Sequence, residues 1–520
     1  MRRKVFKTLK FVLISFVVFG LIIVAGLIWP MPDVSLPEKH ESILIKSINV
    51  VDVNTGNILK NRNVWIKKNR IQAIDSATSD KNYGDSFTID GDGKYLIPGL
   101  WDMHTHSTQH SKWLHHPLYI AHGVTSIRDL SGQMGKEDSY WAGTKDRLSW
   151  NKKLENHEQV TPRYILQSSY QINGDNSVPS GFPEFFSVED VKDVPLLLEH
   201  YQTVGADFIK VYSDIPATSY KQIAKEAPKY GLHIAGHKPL GVSLEDAITL
   251  GQRSFEHGRV FMFDCFPEAD KLLVAEDKRA MYYESKKSIS ENFDVEKAAR
   301  LMDLMHQRNA HWVPTLQMLK ISAYANNQSY VENQNLKYIP TLRKKLWWNP
   351  DVGRAGKYNN SSDGKGINMK LYESAKLQVG MAHKRGVPIM TGTDVTDSYA
   401  FPGFALHTEI EEFTACGLTN LEALRAATII PATYSNVEKD YGSVDQGKMA
   451  DLVILKKNPL DNISHTASIS SVLLNGVHYD KETLETYKED TASLASSFHM
   501  NVKFFFSLLG SPLIRKQFAD

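Results

Sequence analysis

Tyr95-Leu-Ile-Pro-Gly-Leu-Trp-Asp-Met-His-Thr-His106 is the stretch on which the reading of this chain turns. An apolar run breaks at Pro98-Gly99, resumes as an extended segment and ends in His104 and His106. On a β-strand, residues i and i+2 share a face. The two imidazoles therefore project side by side, at a spacing that lets both reach one metal ion. An H-x-H pair is a weak signal by itself, and its meaning comes from what lies downstream.

Downstream, short apolar runs alternate with helical stretches. Strands are expected at residues 123–129, 207–212, 232–237, 254–257, 311–315 and 387–394, with helices such as 188–204 and 219–230 between them. A β-then-α repeat over about 330 residues is the mark of a parallel-sheet α/β fold, and the size suits a TIM-like (β/α)8 barrel over residues 98–435. No Gly-rich phosphate loop or dinucleotide fingerprint follows any strand, which argues against a doubly wound nucleotide binder. Residues 316–370, rich in Tyr, Trp, Asn and Lys, interrupt the rhythm and read as a largely helical, lid-like insertion over the barrel mouth.

Both flanks of the barrel have a different character. Residues 43–97 carry short alternating strands separated by turns such as Asn54-Thr-Gly56 and Asp90-Gly-Asp-Gly93. The pattern returns in residues 436–485, with Asp451-Leu-Val-Ile-Leu455 and Ser471-Val-Leu-Leu-Asn-Gly476. One small β-sandwich domain assembled from both ends is expected. Residues 30–42 are a Pro-containing linker. Residues 486–520 form a tail whose Phe504-Phe-Phe-Ser-Leu-Leu509 reads either as a helix packed on the body or as a second membrane-touching element.

At the N-terminus, a basic segment (residues 1–10, with Arg2, Arg3, Lys4, Lys7 and Lys10) precedes an uncharged run at 11–29, stopped by Pro30. That length spans a bilayer core and is long for the apolar region of a cleavable signal, which stays the alternative. The charge asymmetry places residues 1–10 in the cytoplasm and the body on the outer side of a single-pass membrane protein. Net charge is +1, so nothing points to nucleic acid. Cys265 and Cys416 make neither a disulfide scaffold nor a C-x-x-C site. A homo-oligomer stays open.

In a barrel of this kind, functional groups belong at the C-terminal ends of strands. His104, His106, Lys210, His237, His257 and Asp394 fall at or near such positions in succession. Imidazole and carboxylate are ligands that zinc and similar divalent ions prefer. Each residue has a plainer reading: a core histidine at His237, a surface pair at Glu256-His257, a helix cap at Asp394, a carboxylate-paired lysine at Lys210. The series of six is what favours a metal site.

These residues also carry a family resemblance. Pro98–His106, Gly123-Val-Thr-Ser-Ile-Arg-Asp129, Gly205-Ala-Asp-Phe-Ile-Lys-Val-Tyr212, His237 with Phe255-Glu-His-Gly258, and Thr391-Gly-Thr-Asp394 resemble the amidohydrolase superfamily. So do His407-Thr-Glu-Ile-Glu411 and Gly447-Lys-Met-Ala-Asp-Leu-Val-Ile-Leu455. The resemblance is to the imidazolonepropionase-like and Xaa-Pro dipeptidase (prolidase)-like branch. It covers roughly residues 43–480, and neither the apolar N-terminus nor the tail.

The resemblance implies two divalent metal ions, usually zinc. His104, His106 and Asp394 would hold the more buried ion, His237 and His257 the more exposed one, and a carbamylated Lys210 would bridge them. It implies a hydroxide shared by the metals, with Asp394 as general base and then acid. Tyr212 is a candidate support for the carbonyl oxygen or simply a buried barrel tyrosine, and His407 a candidate substrate or supporting contact. Lys238 and Arg259 are candidates for binding a substrate carboxylate, or are solvent-exposed charges. Arg128 and Asp129 read as structural. The expected function is a membrane-anchored amidohydrolase cleaving C–N amide bonds of small substrates: dipeptides, Xaa-Pro-like peptides or cyclic amides. A lactonase or phosphotriesterase on the same site is the near alternative, and a non-enzymatic, metal-stabilised exported binding protein the distant one.

Overall fold

A computed structural model describes residues 2–174 and 177–519, with side chains from Val5 to Gln517; the side chains of Arg2, Arg3 and Lys4 in the basic flank lie outside that description. The front of the chain gives five strands: β1 (Ser42–Val51), β2 (Ile58–Lys67), β3 (Arg70–Ser76), β4 (Phe87–Asp90) and β5 (Tyr95–Pro98). Seven short parallel strands follow: β6 (Leu100–Thr105), β7 (Val124–Asp129), β8 (Arg163–Gln167), β9 (Phe208–Val211), β10 (His233–Gly236), β11 (Ser254–Glu256) and β12 (His311–Val313). The last three are β13 (Leu452–Leu455), β14 (Ile469–Leu474) and β15 (Val477–Tyr479).

Strands from the two flanks pair with each other. The order is β15-β14-β13-β5-β1-β2-β3, with β4 alongside β1. The seam is β13 antiparallel to β5, with Val453 opposite Ile97. Alternating β-branched and apolar residues put Ile43, Ile45, Ile48, Val64, Leu452 and Ile454 into one buried cluster. The described strands form one eight-stranded sheet, where two packed sheets were expected.

The parallel strands carry the main core. β6, β7 and β8 form one set, and β9 to β12 another. Bridges from Ser168 to Phe208 and from Ile172 to Val211 join β8 to β9. Bridges from Trp312 to Ile389 and from Thr105 to Val395 lay residues 389–395 between β12 and β6. This is a TIM-barrel-like α/β arrangement. Strands such as β7 are buried at every position, as expected where helices cover one face and side chains fill the other. Residues 387–394 stop short of a regular strand: Pro388 has no N–H to donate, and Gly392 packs where a Cβ would stand 2.8 Å from that of His104. β8 was not anticipated from the sequence.

Two helices match their expected segments, Val194–Thr203 and Ala217–Glu226, the latter extended by a 3-10 turn to Tyr230. The 316–370 insertion is largely helical, from Leu316–Ala323 to Asn349–Asn360, around a cluster of Ile321, Trp348, Val352, Tyr399 and Phe401. The tail makes three helices, Lys481–Ser496, Phe498–Gly510 and Pro512–Ala519. Phe504, Leu508, Leu513 and Ile514 join the main core, so the tail packs on the body. Val5–Ile28, within the helix Arg2–Ile28, is long and apolar enough to cross a membrane, a test that a signal sequence also passes.

Candidate metal centre

β6 delivers His104 and His106 to the C-terminal edge of the parallel sheet, where Asp394 meets them. His106 Nε2 lies 2.8 Å from Asp394 Oδ1, and His104 Nε2 lies 3.2 Å from the same oxygen. His257 Nδ1 approaches Asp394 Oδ2 at 3.6 Å, and the Nε2 atoms of His257 and His237 face each other at 2.9 Å. The ligand atoms of His104, His257 and Asp394 all fall within 4.8 Å of one another. Asp394 and His257 both hold left-handed backbone, at φ +61 and +71. Such a conformation costs about 1–3 kcal/mol per non-glycine residue and gathers at functional sites.

The supporting partners fix the rings. His104 Nδ1 bonds Glu256 Oε2 at 2.8 Å, His237 Nδ1 bonds Ser213 Oγ at 2.9 Å, and His257 Nδ1 bonds Thr315 Oγ1 at 2.8 Å. Each contact occupies one ring nitrogen and leaves Nε2 as the inward-facing atom, the usual way a metal-binding imidazole is oriented. Glu256 is itself held by Arg128 Nη2 at 2.8 Å and Ser254 Oγ at 2.7 Å. Asp102 clamps the β6 end to the Asp394 segment, accepting from Thr393 Oγ1 at 2.5 Å, Thr393 N and His104 N.

Lys210 projects from β9 fully buried, and its Nζ has no hydrogen-bond partner. Space for it depends on Gly236, at φ +128, where a Cβ would stand 2.3 Å from Val211 O and 3.0 Å from Lys210 Cδ. Burial lowers the Lys210 amine to about 8, so a neutral fraction exists near neutral pH. Burial also pushes His237 and His257 well below the ordinary histidine range, which keeps both neutral. Burial alone would raise the Asp394 carboxyl; the facing His104, with bonds from the His104 and His106 rings, outweighs it and holds the carboxyl well below its ordinary range. Glu256 is likewise held far below the usual range, burial being outweighed by Arg128 and His104.

His104, His106, Lys210, Tyr212, His237, His257 and Asp394 line one cavity of about 290 Å³. Trp347 of the insertion lines it too, as do Asp397, Lys516 and Gln517. Lys238 and Arg259 line an adjoining cavity of about 270 Å³ that shares Tyr212, His237 and His257. Lys238 is buried, and its ammonium lies 2.8 Å from Asp264. Arg259 donates to the Tyr282 hydroxyl at 3.2 Å. The solvent-exposed alternative for these two is therefore corrected, and the Lys238 charge is already matched within the chain.

His407 stands apart from these cavities. Its Nδ1 contacts Thr466 Oγ1 at 3.0 Å and its Nε2 contacts His122 O at 3.1 Å. Both of its nitrogens are thus committed within the chain, in keeping with the supporting-contact alternative. Arg128 and Asp129 do not pair with each other: Arg128 serves Glu256, and Asp129 pairs with Arg147 at 2.7 Å. Sequence reasoning missed Glu256 as the His104 partner.

The residues fit a divalent metal centre. The set is imidazole and carboxylate, His237 and His257 are kept neutral, and the buried Lys210 Nζ points inward without a hydrogen-bond partner. Comparison with known proteins agrees with that chemistry. The Amidohydrolase family profile matches residues 209–478. An adenine deaminase of Thermosipho africanus (strain TCF52B) is 36% identical over 102 residues. That stretch is 19% of this chain and 17% of the deaminase, so the chain spans only a small part of that curated relative. Among solved structures, a bottromycin amidohydrolase aligns with a TM-score of 0.64 at 19% identity, covering 91% of this chain and 93% of that one. A Xaa-Pro dipeptidase with methionine in its active site aligns with a TM-score of 0.58 at 18% identity, covering 84% and 100%. These likenesses show a shared fold, and the profile match covers just over half of the sequence. The chain belongs to the amidohydrolase family, hydrolases acting on carbon–nitrogen bonds.

Proposed function

We propose that this protein is a membrane-anchored, metal-dependent amidohydrolase of the prolidase-like branch, cleaving the amide bond of small substrates such as dipeptides, Xaa-Pro-like peptides or cyclic amides. The observation that carries the reading is the convergence of four histidines, Lys210 and Asp394 on one cavity. The domain reading goes with it: a closed (β/α)8 barrel at 98–435, a β domain from 43–97 and 436–485, and a span at 11–29 with the body on the outer side.

His104, His106 and Asp394 would hold one divalent ion, and His237 and His257 a second, with Lys210 as a bridging carbamate. The neutral fraction of the Lys210 amine suits that modification, since only a neutral amine adds to carbon dioxide. When bound, such ions supply Lewis-acid polarisation of a carbonyl and lower the pKa of water. Asp394 takes the proton of the attacking water and delivers it to the leaving nitrogen, so that amide and water become acid and amine. Its ionised state is what the first of these transfers requires. Tyr212 stacks on His237 with ring centroids 3.9 Å apart, and burial keeps its phenol protonated, as a donor to a carbonyl oxygen must be.

Metal analysis of the full chain in detergent, together with turnover of Xaa-Pro dipeptides, N-acylated amino acids and cyclic amides, tests the reading. Metal-dependent amide cleavage is the expected result. Turnover confined to lactones or phosphotriesters would replace the reading with the near alternative, and metal binding without any turnover would replace it with a binding protein.

A further inference from the structure

The helix Pro512–Ala519 reaches the cavity that holds the metal-type residues, although the resemblance ends near residue 480. Leu513 and Ile514 bury it against the body, at 0% and 1% exposure. Ser511 caps it, accepting from Ile514 N at 3.0 Å and donating to Asp138 Oδ2 at 2.8 Å. Gln517 Nε2 then donates to the Tyr170 hydroxyl at 2.9 Å, and Tyr170, Lys516 and Gln517 all line the cavity wall.

The charges on that wall are unequally matched. Arg279 is engaged by Asp214 at 2.8 Å, and Asp394 faces three histidines. Lys516 makes no ion pair among the described residues. A cation held on the wall of a concave, partly enclosed site attracts an anionic group on whatever enters it. A half-buried lysine left without an ion pair among the described residues is a poor choice for stability alone and a good one for recognition.

We propose that Lys516 is a specificity residue that binds an anionic group, such as a carboxylate, on the substrate, and that Gln517 positions it by tying the helix to Tyr170. The proposal rests on the reading of this cavity as an amide-hydrolysing site, and it adds a recognition element from a helix outside the barrel.

Binding is read first, by rapid mixing on a time scale shorter than one turnover, in metal-loaded full-length protein. Trp141 and Trp347 line the cavity and report occupancy by fluorescence. N-acetyl-L-proline and N-acetyl-L-leucine are titrated against their carboxamides. Wild type is expected to bind the acids at least tenfold tighter; Lys516→Ala removes the preference, Lys516→Arg keeps it and Lys516→Glu inverts it. Gln517→Ala weakens it in part. Kinetics on an Xaa-Pro dipeptide and its amide follow: KM for the acid rises about tenfold in Lys516→Ala while kcat stays within threefold. An acid-to-amide ratio that is the same in wild type, Lys516→Ala and Lys516→Glu overturns the proposal. Absence of turnover in wild type, with the binding preference intact, overturns the amidohydrolase reading instead and leaves Lys516 as an anion contact.

Discussion

Replacing Glu256 by Gln tests the logic of the site at its least exposed point. The Glu256 and Arg128 side chains are both 0% exposed. One carboxylate oxygen accepts from Arg128 and Ser254, and the other from His104. An amide has one accepting oxygen and one donating nitrogen, so it cannot serve both sides. With its oxygen towards Arg128, its NH2 meets His104 Nδ1 and forces the ring proton onto Nε2, the atom that must ligate. With the amide flipped, NH2 opposes the guanidinium. In either orientation Arg128 loses its counter-charge, and breaking a buried pair from one side costs about 3–5 kcal/mol. Loss of the ring's supporting carboxylate weakens metal binding about 10–100-fold, about 1.4–2.8 kcal/mol at 1.4 kcal/mol per decade. Unfolding of the metal-stripped variant reads the first number, and competition against a chromophoric chelator reads the second. A stripped variant as stable as wild type, with metal affinity within twofold of it, would refute the reasoning.

Asp394→Asn should lower kcat/KM by about 10²–10⁴-fold, the range for losing a general base, without unfolding the chain, as steady-state kinetics and circular dichroism would show. Lys210→Ala should lower the metal content per chain in elemental analysis; an unchanged metal content would exclude a bridging role. His407→Leu should leave kcat within about threefold and lower the thermal midpoint, because Thr466 and His122 O lose a buried partner. Burial raises Glu409 to about 8 from an ordinary 4.5, despite bonds from Leu316 N and Gln317 N. The folded state therefore holds a proton that the unfolded state has released, and stability falls as pH rises from 4.5 to 8, by at most about 1.4 kcal/mol per unit. Glu409→Gln should flatten that fall, and parallel melting profiles of variant and wild type across this range would count against it.

What was legible in the sequence was what the chain writes locally. Ligand-type residues stand at the ends of short apolar strands, so His104, His106, Lys210, His237, His257 and Asp394 were found by position and side-chain type together. The supporting contacts span long sequence distances: Glu256 lies 128 positions from Arg128 and 152 from His104. Nothing near Glu256 announces either partner. The partners of His407 were not legible because a histidine on a helix gives no sign of where its nitrogens go. β8 was missed because Arg163-Tyr-Ile-Leu-Gln167 is short, follows Pro162 and ends on polar residues. Lys516 and Gln517 were invisible because no strand rhythm leads to them; only packing brings their helix to the cavity.

The helix Phe498–Gly510 joins two parts of the molecule that are usually thought of separately. At one end it lies against the N-terminal apolar helix: a Cβ at Gly26 would stand 3.1 Å from the Phe498 ring, and Lys503 Nζ donates to Leu27 O. At its other end Ser511 turns the chain into the helix that walls the cavity. The apolar helix is therefore not an interchangeable tether. Exchanging residues 1–29 for an unrelated apolar helix would strip a lateral support from the cavity wall. A form made by deleting them would expose Val502 and more of Phe498 and report on a loosened cavity wall. Activity comparisons between the full chain and a form lacking residues 1–29 measure that support.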